Sequence, residues 1–262
     1  MSDNKLWFSL YDSNEYKGIE TPFVDVSEIK GIKELEENYL VVLKELEEYL
    51  AENNFTSHFN NTMVEKSQTW KVQGLQGWGR QNYSKQRCFP KTIALLKAIP
   101  NITTMSFNLL EPNAKIKPHS GDTNAVIRCH LGLKIPASAP VCQLTVKGET
   151  KEWQAGKVIS FNDAYIHEAC NLSNETRLIL LFDIMKPQFI KQKSMICATI
   201  HSSFSMQKLG NVFPGIYNMN RQLFKRLLRP YIFLIQIKLP MLNAFRYVWY
   251  NKLAPLKPEF LK

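Results

Sequence analysis

Between residues 103 and 184 the chain falls into seven short runs of strand-forming residues, and this spacing limits the fold more than any other feature. The runs cover 103 to 110, 114 to 118, 125 to 135, 141 to 147, 157 to 161, 165 to 169 and 177 to 184. Turn signals separate them: Glu111-Pro112-Asn113, the stretch 136 to 140, Lys147-Gly148-Glu149, Ala155-Gly156-Lys157 and the stretch 171 to 175. Gly148 and Gly156 suit hairpin turns best. Strands this short and this regularly spaced predict a mainly β sandwich or jelly roll.

The flanks read differently. A helix is expected from Ser27 to Asn53, because Ile32, Leu35, Tyr39, Val42, Leu46 and Tyr49 recur in steps of three and four. Glu34, Glu37, Lys44, Glu45 and Glu48 fall on its other faces and are expected to meet water. A second helix is predicted between Pro90 and Pro100, with proline at its first turn. A short strand is expected near Trp70 to Leu75. The chain therefore divides into an N-terminal flanking segment with helices (1–102), a β core (103–187) and a helical C-terminal extension (188–262).

The net charge of +10 belongs to that extension. From Phe189 onward there are twelve Lys/Arg and one acid, Glu259, so the remaining 188 residues sum to −1. Within it, residues 220–230 form a basic amphipathic helix and 231–242 an apolar run. A run of about 12 residues is too short for the roughly 20 that cross a bilayer, so it could lie on a membrane but not span one, and a helical cap packed on the jelly roll is the equal alternative. Five cysteines without a CxxC pair point to reduced thiols and a cytoplasmic setting, peripheral at the inner face of a membrane if the tail binds there. The N-terminus has no basic stretch followed by a long apolar run, so no secretory signal is expected. Nucleic acid is not an expected partner, although aromatics do interleave with the tail's arginines. The oligomeric state is left open.

The chemistry concentrates in Pro118-His119-Ser120-Gly121-Asp122-Thr123-Asn124 and the strand after it. On that strand Arg128 and His130 share a face, and a cation among apolar neighbours calls for an anion. His167 follows 48 residues after His119, and Arg177 ten residues later opens the last strand. Two imidazoles on converging strands suit a non-haem Fe(II) site, which usually adds one carboxylate. That carboxylate would stand two residues after the first histidine, where this chain has Gly121, with Asp122 one step beyond. Arg177 could pair with one carboxylate of 2-oxoglutarate, while Arg128 and His130 hold its metal-chelating end. Taken singly, each histidine also fits a hydrogen-bonded core position, and Arg128 could instead pair with Asp163 or Asp183.

These segments, together with Arg128-Cys129-His130-Leu131-Gly132-Leu133, Gly156-Lys157-Val158, Phe161-Asn162-Asp163, His167-Glu168 and Arg177-Leu178-Ile179, resemble the aspartyl/asparaginyl β-hydroxylase family of Fe(II)/2-oxoglutarate dioxygenases. Cys88-Phe89-Pro90-Lys91-Thr92 extends the resemblance upstream, so it covers roughly residues 20 to 187. It implies a double-stranded β-helix, His119 and His167 as iron ligands, and Arg128, His130 and Arg177 as 2-oxoglutarate contacts. It also implies hydroxylation of a C–H bond with O2, releasing succinate and CO2. Gly121 matches the family's animal peptidyl hydroxylases, whereas the helix from Pro90 resembles its bacterial lipid A acyl-chain hydroxylases. A lipid acyl or lipid-linked substrate is the first expectation, given the basic tail. A peptidyl or free amino acid is the second. A jelly-roll binding module without activity is the third.

Overall fold

In a computed structural model of the chain, residues 5–10, 15–58, 61–213, 215 and 220–254 are described. Among the described residues, eleven strands form two antiparallel sheets that face each other. The large sheet runs in the order β1 (Thr56–Ser57), β2 (Trp70–Gly77), β4 (Ile102–Leu110), β11 (Arg177–Met185), β6 (Val126–Lys134) and β9 (Val158–Phe161), with β3 (Arg80–Gln81) paired to β2. The small sheet runs β5 (Ala114–His119), β10 (His167–Asn171), β7 (Cys142–Val146) and β8 (Glu149–Glu152). This is the jelly roll that the strand spacing predicts, and the double-stranded β-helix that the family resemblance implies. The flanking segment 1–102 supplies β1, β2 and β3 of the large sheet. Glu149–Glu152, unassigned from the sequence, closes a hairpin with β7 through Lys147 and Gly148, both at positive φ (49° and 82°).

Side-chain alternation decides what lies inside. All nine residues of β11 are buried, because both faces of this strand are covered. Leu178, Leu180, Phe182 and Ile184 face outward into a core shared with the N-terminal helices, and Arg177, Ile179, Leu181 and Asp183 face the space between the sheets. On β6, Cys129 and Leu131 join the helical side while Arg128 and His130 face inward. Burying each large apolar side chain stabilises by about 1.5–3 kcal/mol, so this alternation fixes the register firmly.

The covering layer consists of α1 (Ile32–Glu37), α2 (Tyr39–Glu52) and α4 (Pro90–Ala98), with the short α3 (Tyr83–Gln86) beside them. The single helix expected from Ser27 is two helices broken at Asn38. There the backbone leaves the helical region (φ −104°, ψ 18°), and the Asn38 side chain donates to the Glu34 carbonyl at 2.9 Å. Glu45, expected at the surface, is buried. Its carboxylate accepts bonds from the backbone N–H groups of Lys91 and Thr92 and from the Thr92 hydroxyl, each at 2.8 Å. These donors belong to the first turn of α4, where orphan N–H groups and the helix dipole favour an anion.

The C-terminal extension adds α5 (Lys193–Val212) and α6 (Arg221–Val248), then a π-helical turn over Trp249–Leu253. Ile196, Cys197 and Ile200 of α5 pack with Phe8, Trp78 and Met185 at one end of the jelly roll. The basic helix and the apolar run read separately from the sequence are one helix, α6, with Pro230 and Pro240 inside it. No helix among the described residues is long and apolar enough to cross a membrane. All five cysteines are free thiols.

Candidate active site

The two sheets meet over a cavity lined by His119 and His167 at one edge and by His130 and Arg177 deeper in. Apolar side chains, Ile116, Leu144 and Phe161 among them, form the rest of its wall. His119 ends β5 and His167 begins β10. The two strands place these residues opposite each other in the ladder, and their ring centroids lie 4.2 Å apart. Each ring donates from Nδ1 to the carbonyl two residues earlier, His119 to Lys117 at 2.8 Å and His167 to Tyr165 at 2.9 Å. That bond fixes the tautomer and leaves Nε2 as the free lone pair, the arrangement a metal ligand needs. Burial lowers the pKa of both imidazoles, and each also feels a neighbouring positive or imidazole charge, so both are held neutral.

The place of the missing carboxylate is filled from another loop. A Cβ at Gly121 would fall within the carboxylate of Asp163, and the Gly121 N–H donates to the Asp163 carbonyl at 2.8 Å. Asp163 Oδ1 lies 3.5 Å from His167 Nε2. Gly121 is thus a close-approach glycine: its lack of a side chain lets a carboxylate four residues before His167 reach the histidine pair. Asp122 approaches Asp163, Asp183 and Arg128 rather than the histidines; burial first, and then its acidic neighbours, push its carboxyl up to about 7. Among the described residues no three His, Cys, Asp or Glu side chains are gathered closely enough to ligate a metal by themselves. The pair with Asp163 beside it is the nearest approach to such a set.

Arg128 is engaged differently from expectation. It makes two bonds to the Asp183 carboxylate, 2.8 Å from Nε and 3.0 Å from Nη2, and an ion pair with Asp163. The alternative visible in the sequence, pairing with these two aspartates, is the one the fold adopts. Its guanidinium therefore anchors Asp163 beside the histidines while the residue still lines the cavity.

Arg177 and His130 each present a buried N–H without an acceptor among the described residues, and Asp163 Oδ1 nearby, ion-paired with Arg128, is likewise without a hydrogen-bond donor. Arg177 is only 2% exposed and has no carboxylate partner among the described residues; its guanidinium lies over the Trp153 ring, 4.6 Å from the centroid. Its Nε–H has no acceptor among the described residues, and burial lowers its pKa to about 10. His130 accepts at Nδ1 from the Trp153 indole N–H at 3.3 Å, so its other nitrogen carries the proton, and that Nε2–H is also buried without an acceptor. Burial, reinforced by Arg177 and Arg128, keeps the ring neutral. A buried cation and a buried N–H donor without partners cost several kcal/mol unless an anion meets them. The cavity is built to receive a carboxylate-like group next to the histidine pair.

Trp153, and the approach of Asp163 to His167, are not legible in the sequence, which offers Asp163 and Asp183 only as partners for Arg128. Parity supports the Asp183 pairing, since Asp183 stands six residues from Arg177 and so shares its face. Asp163 lies four residues before His167, but its role depends on a loop approach that no periodicity encodes.

Comparison with known proteins shows the family. The family model for aspartyl/asparaginyl beta-hydroxylases matches residues 36–187, more than half of the chain. The chain belongs to that hydroxylase family. An ornithine lipid ester-linked acyl 2-hydroxylase from Rhizobium tropici is 33% identical over 171 residues, 63% of this chain and 61% of the relative. The human aspartyl/asparaginyl beta-hydroxylase is 33% identical over 129 residues, 47% of this chain and 17% of that protein. The chain thus spans less than two thirds of the length of either. Among solved structures, a Pseudomonas putida prolyl-4-hydroxylase aligns at a TM-score of 0.41 with 16% identity, over 60% of this chain and 90% of that one.

Proposed function

We propose that the protein is an Fe(II)/2-oxoglutarate-dependent dioxygenase that hydroxylates the acyl chain of a lipid or lipid-linked substrate. The observation that carries this reading is the pair of unsatisfied buried donors, Arg177 Nε–H and His130 Nε2–H, beside two imidazoles with free Nε2 lone pairs. In this reading His119 and His167 hold the metal, with Asp163 poised at their side. Bound Fe(II) would supply the O2 activation that oxidation of an unactivated C–H bond requires. Arg177 neutralises the distal carboxylate of 2-oxoglutarate, His130 donates to the co-substrate, and Arg128 acts through Asp163 as a positioning residue. The apolar wall keeps water from the reacting carbon.

The lipid substrate is supported by the likeness to the Rhizobium acyl 2-hydroxylase, which reaches well beyond the β core. A second reading, a peptidyl or free aspartyl or asparaginyl substrate, is favoured by Gly121 and by the human relative. Incubation with Fe(II), ascorbate and 2-oxoglutarate tests the co-substrate assignment through succinate release. Wild type is expected to form succinate, and His167→Ala and Arg177→Ala to lose at least about tenfold of it, since a charge-assisted bidentate contact contributes about 1.5–3 kcal/mol. Failure of wild type to bind Fe(II) and to release succinate with any lipid or peptide supplied would favour a binding module instead. A +16 Da product on an acyl chain, against one on an Asp- or Asn-containing peptide, separates the two substrate readings.

A further inference from the structure

Helix α6 is docked by one side and apolar on the other. On the docked side Leu228 and Ile232 are buried against Ala198 of α5. Farther along the same face, the Asn243 side chain donates to the Gly79 carbonyl at 2.8 Å and accepts from the Gln81 N–H at 3.1 Å. Leu228, Ile232 and Asn243 keep helical spacing, so these contacts fix the rotation of the helix about its own axis. Its solvent side is therefore a permanent surface.

That surface carries Leu223, Leu227, Leu234, Ile237, Met241 and Phe245, each between 48% and 67% exposed. They recur in steps of three, four and seven, forming one stripe along a helix of 28 residues, about 42 Å long. Trp249, half exposed, continues it past the end of α6. Scattered exposed apolar residues need no explanation, but a continuous stripe marks something that covers it. Residues 221–252 also hold seven Lys/Arg and no Asp or Glu. Arg226, Arg229 and Lys238 are exposed, and none of them has an acidic partner among the described residues.

We infer that α6 is an interfacial helix that seats the protein on an anionic lipid bilayer, with its apolar stripe in the acyl boundary and its cations on the headgroups. Charge chooses this occupant. A second copy docked stripe to stripe would bring Arg226, Arg229 and Lys238 of each copy together, with no Asp or Glu in residues 221–252 of either to answer them, whereas anionic headgroups answer both the stripe and these cations. Lys238, beside the stripe, has a stem long enough to lie along the apolar boundary with its ammonium at the headgroups. Trp249, half exposed, is of a type favoured where one end is apolar and the other wet. The inference deepens the lipid-substrate reading and takes its biological sense from it, but its test needs no turnover.

The test is co-sedimentation of the full chain with vesicles of phosphatidylcholine alone or with about 30 mol% phosphatidylglycerol, without iron or 2-oxoglutarate. Wild type is expected to bind the anionic vesicles at least about tenfold more strongly than the neutral ones, and to release as salt is raised. Leu234→Glu/Ile237→Glu/Met241→Glu is expected to lose at least about tenfold of that partitioning while keeping the wild-type melting temperature, because all three side chains are exposed. Arg226→Gln/Arg229→Gln/Lys238→Gln is expected to lose the preference for anionic over neutral vesicles, which keeps the inference testable if the first variant misfolds. Equal sedimentation of wild type and both variants would overturn it. So would a wild-type dimer, seen by light scattering, that the stripe variant converts to monomer. Because binding is read apart from catalysis, a protein that binds vesicles but forms no succinate would overturn the dioxygenase reading and leave this one standing.

Discussion

At the scale of single residues, the site is organised by an exchange of space between Gly121 and Asp163. The loop before His167 brings a carboxylate to the point where a side chain at 121 would otherwise project, and Arg128 holds it there. Gly121→Ala should cost about 1–3 kcal/mol through overpacking. Asp163→Ala should cost more, about 3–5 kcal/mol, by breaking a buried ion pair. The double variant should lose at least about 1 kcal/mol less than the sum, because removing the carboxylate opens the space the methyl needs. Urea unfolding of the four proteins measures this; additivity within about 0.5 kcal/mol would mean that the two positions do not share one volume. His130 gives a second test at this scale. Its folded pKa lies well below the ordinary 6.5 because burial penalises the imidazolium, with Arg177 adding repulsion. The unfolded chain therefore takes up a proton that the folded chain does not as pH falls below 6.5. The stability due to this residue is complete above that pH and declines below it, with a slope approaching one proton, about 1.4 kcal/mol per pH unit. Denaturation midpoints between pH 5 and 7 should fall less steeply for His130→Gln than for wild type, and identical slopes would refute the assignment.

At the scale of elements, the contact between α2 and α4 shows how a polar side chain can join two helices. Glu45 supplies the acceptors that the first turn of α4 lacks, since neither Phe89 nor Pro90 offers a side-chain cap. Glu45→Ala should destabilise by about 2–4 kcal/mol, combining the lost cap with unsatisfied buried N–H groups. Glu45→Gln, which keeps an acceptor but loses the charge, should cost about half as much. Chemical denaturation distinguishes them, and a cost below about 0.5 kcal/mol for the alanine variant would mean that water replaces the carboxylate. Glu45 also marks the limit of what helical periodicity conveys. Its position on α2 reads as solvent-facing because the pattern reports hydrophobicity, whereas the demand for an anion comes from a helix that arrives 46 residues later. The strands behaved differently. Their alternation placed Arg128 and His130 on the inward face correctly, and proline and glycine marked most of the turns. Glu149–Glu152 escaped because an edge strand with four polar residues has no apolar face to reveal it. Asn38 broke the predicted helix with a side-chain bond to its own backbone, which apolar spacing does not register.

At the scale of the whole molecule, the two C-terminal helices do unequal work for stability. The main core draws all its buried residues from positions 26 to 184, so it closes without the tail. Helix α5 seals the end of the jelly roll with Ile196, Cys197 and Ile200, and losing three such side chains would forfeit about 5 kcal/mol of burial. Among its described side chains, helix α6, 28 residues long, buries Leu228 and Ile232 alone. Most of its large apolar side chains point to solvent, which is the wrong way round for a cap whose task is to shield the core. Packing of two side chains is small beside the entropy of ordering so long a helix, roughly 1–2 kcal/mol per residue. Truncation after residue 219 should therefore leave a cooperative thermal transition within a few degrees of wild type. Truncation after residue 192 should lower it by well over about 10 °C or abolish it, since each kcal/mol shifts the melting temperature of a chain this size by about 2–4 °C. If the shorter deletion proves as damaging as the longer, α6 is a structural cap after all, and its exposed stripe is a by-product of length. If it proves harmless, the chain maintains 28 ordered residues that contribute little to its stability, and their apolar face has to be accounted for by what it touches outside the molecule.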